Sequence, residues 1–295
     1  MSDPENNWPA PPGDNAPGAD AAAPLVPQEP ALAAPVAAEA AVPEDLRAPW
    51  SWLELLLFLV YAFAASLAVS LLVALGALVV FGVSPWQLDK IPNGKATVLV
   101  LAQALWSGAA MLYFFGVARL RKGGPFWRAL GWRELRLGRI SGSRAVVLCL
   151  LGGMLLAVVV GVASDRVGKH GTLPIEEMFR NRGTVLMLMA LGLLVAPLVE
   201  ETMFRGFLYP VFARQFGVPA GIAITGVLFG LLHAAQLWGG WGQIALLIVV
   251  GIVFTYVRAR TGTVWASYLF HLGYNGILFL VFFIYTGGLR HMPAP

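Results

Sequence analysis

The chain is poor in what soluble domains are rich in. Only 12% of its 295 residues are charged while 58% are apolar, against ~25% and ~45–50% in soluble globular proteins. Too little polar surface exists to clothe a water-soluble fold. A single cysteine, Cys149, lies inside an apolar run and reads as a small hydrophobe, which excludes a disulfide scaffold and leaves the redox compartment unread. C-x-x-C, G-x-x-x-x-G-K-[ST], G-x-G-x-x-G and H-E-x-x-H are also lacking. The chain belongs in a membrane, with the lipid bilayer as its first partner.

Basic charge is nearly missing from residues 1–48, where Arg47 stands against eight acids for a net −7, while 49–295 carries +11. The first 48 residues also hold ten of the twenty prolines and read as a disordered acidic tail. They do not read as a secretory signal: a basic n-region is absent and the first long apolar run starts at Trp50. The basic excess of the body sits in short loops between apolar runs, so membrane orientation, not nucleic acid, accounts for it. Since the tail adds no span, deleting residues 1–45 is expected to leave folding intact.

Runs of ~20 apolar residues cross the hydrocarbon. That rule gives an all-α polytopic bundle of about seven spans: roughly 51–82, 97–118, 144–164, 184–212, 218–237, 241–257 and 262–286. Residues 49–183 form an N-terminal set of helices and 184–286 a second unit. Trp50, Trp52, Trp238 and Trp241 fall near run ends, where indoles favour the headgroup layer. Eight basic residues against Glu134 in 119–144 should hold that loop, and with it the N-terminus, in the cytoplasm. Four more in 165–183 work against that orientation. Aromatic and leucine side chains alternate with arginines over 126–137, which fits either an interfacial amphipathic helix or a plain topology-fixing loop. No internal repeat of a transporter is recognisable.

Ionisable groups inside spans cost ~2.5–3.5 kcal/mol each on insertion scales and need a reason. After residue 183 three helices carry ones that stand out: Glu200, Glu201 and Arg205 in the fourth span, His233 in the fifth, and His271, with the polar Asn275, in the seventh. Glu201 and Arg205 are i,i+4 with the acid first, the favoured order of an ion pair. Glu200 lies ~100° around the helix from Glu201. Arg205 should therefore neutralise Glu201 and leave Glu200 to face a polar cavity. Pro197 deprives the carbonyl of Leu193 of its helical donor and should kink the helix one turn before Glu200. His271 and Asn275 share a face. Matching the depths of Glu200 and His233 needs either a fourth span that continues tilted past Arg205 to about 212, bringing Glu200 to its middle, or a short and deeply set fifth span. The apolar pattern running on through Phe207, Leu208, Val211 and Phe212 favours the first. The other polar residues have plainer readings. His170, His291 and the Glu176–Glu177 pair look solvated, Gln103 and Ser107 look like interhelical hydrogen-bonding groups, and the glycines at 239, 240 and 242 look like a turn.

This set suffices for peptide hydrolysis. A glutamate in a dry cavity can act as general base toward water, a histidine can assist it or bind a metal, and a His–Asn pair can donate to a developing oxyanion. Equally, Glu200, His233 and His271 have the composition of a zinc site with one open position. The residues alone leave both chemistries open.

The motifs E-E-x-x-x-R (200–205), F-x-x-x-H (229–233) and H-x-x-x-N (271–275), in this order on successive apolar helices, resemble the CPBP intramembrane proteases, also called the type II CAAX prenyl endopeptidase or ABI family. The resemblance covers about 184–286. It implies Glu200 as the water-activating glutamate, Glu201 and Arg205 as structural or substrate-orienting, His233 as positioning water or metal, and His271 with Asn275 as the oxyanion site. The family's chemistry has been described as metal-dependent and also as that of a glutamate protease. The first description makes zinc or another divalent cation, on Glu200, His233 and His271, the expected cofactor. The implied substrate is a membrane-associated or lipidated peptide. No residue pattern here reads a prenyl group, and the alanine-rich tail suggests a bacterial chain, hence a plasma-membrane protein. A non-catalytic binding or immunity protein, or less readily a proton-coupled transporter, would use the same buried groups differently.

Overall fold

The computed structural model describes residues 43–84, 87–88, 94–121, 124–167, 173–179 and 182–292. Residues 1–42, on which the expectation of a disordered tail chiefly falls, lie outside them, as does His170.

The body is helical, as it must be where lipid offers the backbone no hydrogen bonds. Helix α1 spans Trp52–Phe81, α2 Gly94–Leu120, the short α3 Phe126–Ala129 and α4 Gly142–Val167. The fourth span, Arg182–Phe216, is a chain of segments: α5 (Arg182–Ala190), a π turn (Leu191–Val195), α6 (Ala196–Glu201), a second π turn (Thr202–Leu208) and α7 (Tyr209–Phe216). Then come α8 (Val218–Leu232), α9 (Trp241–Thr261) and α10 (Val264–Tyr285). Among the described residues six helices are long and apolar enough to cross a membrane. The seventh, α8, has 15 residues and a length of ~22 Å. Both depth alternatives hold in part: the fourth span does continue past Arg205, and α8 is also short, ending at Leu232 rather than at 237. The only described strands are the two-residue pair Arg136–Leu137 and Ile140–Ser141.

Small residues bring α4, α8, α9 and α10 together, since lipid-facing helices gain little from hydrophobic burial and must pack closely. A Cβ at Gly153 of α4 would stand 1.9 Å from the carbonyl oxygen of Phe270 in α10, and one at Gly273 would stand 2.2 Å from that of Leu150. Gly226 and Gly230 of α8 meet Ile252 and Ile248 of α9 in the same way. By contrast α1 buries only Glu54, Leu55, Phe58 and Ala77 of its thirty residues.

The basic loop is neither an interfacial helix nor a bare connection. Its helical part is the four residues of α3, and the rest folds onto the bundle. Leu130 and Trp132 are buried, Gly131 O accepts from Val264 N (2.9 Å), and Arg133 N donates to Thr263 Oγ1 (3.1 Å). Arg128 and Arg136 stay outside. Residues 43–48, grouped with the tail by composition, also pack. Asp45 accepts from Arg258 through its carboxylate (3.1 Å) and carbonyl (2.9 Å), and Glu44 pairs with Arg133 (2.7 Å). Arg214 donates to the carbonyls of Leu46 (2.6 Å), Ala48 (3.3 Å) and Trp50 (2.6 Å). The structured body thus begins by residue 43, and a cut at 45 removes two of these partners. Trp50 corrects a second expectation. It is 2% exposed, with its indole on Phe207 O (2.9 Å), whereas Trp52, Trp238 and Trp241 are exposed.

Candidate active site

The two π turns explain where the fourth span aims its charges. In the first, Ala196 N donates to Leu191 O, five residues back. Continuing that register sets Pro197 opposite Gly192, and proline has no N–H to offer. The Gly192 carbonyl, which that register leaves without a backbone donor, accepts from Asn275 Nδ2 (2.8 Å). A membrane helix can break its ladder only where a neighbour re-satisfies the freed group, so Asn275 ties α10 to the irregular turn about two helical turns before Glu200.

Glu201 and Arg205 form a closed pair. Both side chains are 0% exposed and meet at 2.9 Å. The guanidinium spends its other donors on Gly251 O (2.8 Å) and Thr255 Oγ1 (3.2 Å) of α9. Phe229 lies 4.6 Å from the guanidinium carbon, ring centroid to Cζ, and Phe254 5.4 Å. These cation–π faces help a desolvated charge tolerate burial.

Glu200 points elsewhere. Its side chain is 14% exposed, with Oε1 3.9 Å from His233 Nε2 and Oε2 3.9 Å from His271 Nε2. Both imidazoles have a defined tautomer. His233 Nδ1 lies 2.9 Å from the carbonyl of Phe229, which can only accept, so that nitrogen carries the hydrogen. His271 Nδ1 lies 3.1 Å from Glu201 Oε1, whose negative charge, shared with Arg205, makes it the acceptor. In the neutral rings both Nε2 atoms therefore turn lone pairs toward the Glu200 carboxylate. His233 does not sit inside a helix, as its position in the run suggested. It caps the C-terminus of α8, its N–H on Gly230 O (3.2 Å).

The sequence-predicted residues thus divide into three. Glu200, His233 and His271 converge, Glu201 and Arg205 form the support beneath them, and Asn275 faces the π turn with one amide hydrogen committed. The sequence reading missed Thr255, Gly251, Phe254 and Gly192, which complete the support. Phe229 was part of a motif without a role. Its ring lies over Arg205, and edge-on to His271 at 5.8 Å, while its carbonyl sets His233.

Two imidazoles with free Nε2 atoms and committed Nδ1 atoms are the donor chemistry of a metal ligand set. The spacing is wider than one: ligands ~2.0–2.1 Å from a tetrahedral zinc stand roughly 3.3 Å apart, against 3.9 Å here for both carboxylate–imidazole pairs. Among the described residues no group of three His, Cys, Asp or Glu side chains is arranged to hold a metal ion. Glu200, His233 and His271 would have to close up by about half an ångström to hold a metal ion together.

Fold and cluster together define a multi-pass helical membrane protein with a carboxylate and two imidazoles gathered between its C-terminal spans. Over that region, residues 182–277, the sequence matches the model of the family "Type II CAAX prenyl endopeptidase Rce1-like", so the resemblance carried by the three motifs is shown there, across about a third of the chain. Among curated proteins, "Putative membrane peptidase YdiL" of Bacillus subtilis (strain 168) is 22% identical over 236 residues, 76% of this chain and 85% of that protein. An "Uncharacterized 24.3 kDa protein" of Escherichia coli is 30% identical over 130 residues, 41% of this chain and 58% of that one. No solved structure matches significantly. The family match and the first relative support a membrane peptidase.

Proposed function

We propose that the protein is an intramembrane endopeptidase in which Glu200 is the general base. The observation that carries this reading is the Glu200 carboxylate, 3.9 Å from each of two Nε2 atoms whose protons lie on the other side of the ring. Three acceptors around one point suit a water molecule, which donates one hydrogen to Glu200 and the other to an imidazole. Glu200 takes the water's proton as its oxygen attacks the scissile carbonyl carbon, and the carbonyl π electrons move to the oxygen. The donors for that oxyanion are the second amide hydrogen of Asn275 and His271, which joins it in the form that has taken a proton from solvent at Nε2 while Glu201 holds its Nδ1–H, leaving His233 as the imidazole that accepts from the water. Each donor is worth ~3–4 kcal/mol in measured cases. Collapse of the intermediate breaks the C–N bond, and Glu200 returns its proton to the leaving nitrogen.

The substrate class is a membrane-associated or lipidated peptide. Leu194, Val195, Leu231 and Leu232, near Glu200 and His233 in sequence, are exposed apolar side chains that would accompany an acyl or apolar segment. Zinc or another divalent cation belongs to this proposal as an assistant that would bring His233, His271 and Glu200 closer; loss of cleavage on chelation, restored by metal, would support it. The loop 119–144 and the segment 43–50 pack at one end of the bundle. Its basic excess makes that end, and the N-terminus, cytoplasmic, in a bacterial plasma membrane.

The test compares protein termini in membranes of host cells expressing wild type or Glu200→Gln at matched levels. We expect new termini with the wild type alone. Identical termini, with both proteins inserted, would transfer the cluster to a non-catalytic binding or immunity role. A Glu200-dependent proton flux in liposomes would make it a transporter.

A further inference from the structure

The second π turn, Thr202–Leu208, lies between the Glu200–Glu201 pair and the remainder of the fourth span. Its closing bond, Tyr209 N to Phe204 O, spans five residues. A π turn holds one residue more than the α-helix would, and that extra residue can pass along the helix. Each residue of slip rotates what lies upstream by ~100°, enough to turn Glu200 away from the two imidazoles.

Two indoles from elsewhere in the chain hold both ends of this turn. At its start, Trp132 Nε1 donates to Thr202 Oγ1 (3.2 Å), and that hydroxyl donates to Leu198 O (2.7 Å). Near its end, Trp50 Nε1 donates to Phe207 O (2.9 Å). Between them, the carbonyl of Leu130 lies where a Cβ on Gly206 would be, at 2.6 Å. Trp132 is 7% exposed and Thr202 0%, so their hydrogen bond has no water to compete with it. Both tryptophans stand outside residues 182–277. Trp132 belongs to the loop in which aromatic and leucine side chains alternate with arginines.

We propose that Trp132, acting through Thr202, is a positioning residue that fixes the register of the Thr202–Leu208 turn and with it the aim of Glu200, with Trp50 as the second pin. The reference to catalysis rests on the peptidase reading above. The structural content does not.

The experiment is hydrogen exchange of the full chain in lipid nanodiscs, read by mass spectrometry over 196–208, for wild type, Trp132→Phe, Thr202→Val, the double variant and Trp238→Phe. Trp238 is exposed and serves as control. Trp132→Phe keeps an aromatic ring, smaller than the indole, and loses the donor. It should speed exchange over 196–208 about tenfold while leaving the other spans unchanged, Thr202→Val should do the same, and the double variant should do no more. Exchange within about twofold of wild type, additive single effects, or a rise spread over all spans would overturn the proposal. Should Trp132→Phe fail to insert, Thr202→Val decides alone. For a substrate identified by the termini comparison, Trp132→Phe should lower kcat at least ~10-fold with KM unchanged, because a misplaced base harms the chemical step. Absence of any Glu200-dependent cleavage by the wild type would sink the peptidase reading and leave the exchange result to stand on its own.

Discussion

Arg205 shows how one side chain can hold three helices at once. It reaches back one turn to Glu201, across to the Gly251 carbonyl and Thr255 hydroxyl of α9, and lies against Phe229 of α8. Glu201 in turn accepts from His271 of α10. Removing the guanidinium leaves a carboxylate in a dry core, which costs about 3–5 kcal/mol where such pairs have been broken. Arg205→Met should lower thermal stability in detergent by an amount in that range. Glu201→Gln added to Arg205→Met should restore much of it, because the amide oxygen still accepts from His271 and no buried charge remains. A double variant as unstable as the single one would show that the guanidinium's bonds to α9, rather than compensation of Glu201, dominate. Arg205→Lys keeps a charge but loses the planar fork that serves Glu201, Gly251 and Thr255 together, so it should fall between.

At the scale of the elements, the close packing of α4 on α10 decides whether His271 reaches its place. Gly153 faces the carbonyl of Phe270, the residue before His271, with no room for a methyl group. Gly161, two turns further along α4, has nothing within 4 Å of its Cβ position. Gly153→Ala should force the helices apart, cost about 1–3 kcal/mol, and abolish Glu200-dependent cleavage. Gly161→Ala should leave cleavage within about twofold and helix stability equal or slightly better. Equal activity of the two variants would show that the α4–α10 contact does not aim the histidine. This scale is also where the sequence was most readable. The apolar runs marked the spans to within about five residues, since the bilayer sets their length and lipid leaves the backbone no alternative. The i,i+4 spacing of Glu201 and Arg205 announced a pair that the structure contains. Pro197 announced a break, but not that a π turn would precede it, or that Asn275 would serve the Gly192 carbonyl there. The partner lies 83 residues away, and no local pattern encodes it. The Trp132–Thr202 bond, across 70 residues, was hidden for the same reason.

For the molecule as a whole, the boundary between tail and body is a matter of charge as much as of order. Composition set it near residue 48, because prolines, alanines and acids continue almost to Trp50. Yet the last two of those acids are the ones the body uses. Arg258 is fully buried in α9, and its ion pair with Asp45 compensates a charge that would otherwise face Tyr209 and the loop backbone alone. Arg214 depends similarly on three carbonyls of residues 46–50. A chain lacking residues 1–42 retains every one of these contacts and should insert and melt like the full chain. A chain lacking 1–48 loses the partner of Arg258 and two of the three acceptors of Arg214. It should lose at least ~3 kcal/mol, the lower bound for stranding a buried charge, and show it as a lower melting temperature in detergent and less inserted protein. Asp45→Asn in the full chain separates the two causes, because it keeps the backbone carbonyls and removes only the charge. A melting temperature near that of the 1–48 deletion would assign the loss to the ion pair. One near wild type would assign it to the carbonyls of Asp45, Leu46 and Ala48 and the rest of the segment's packing. Equal stability of both truncated chains and the full one would show that the segment 43–48 merely rests on a body that is stable without it.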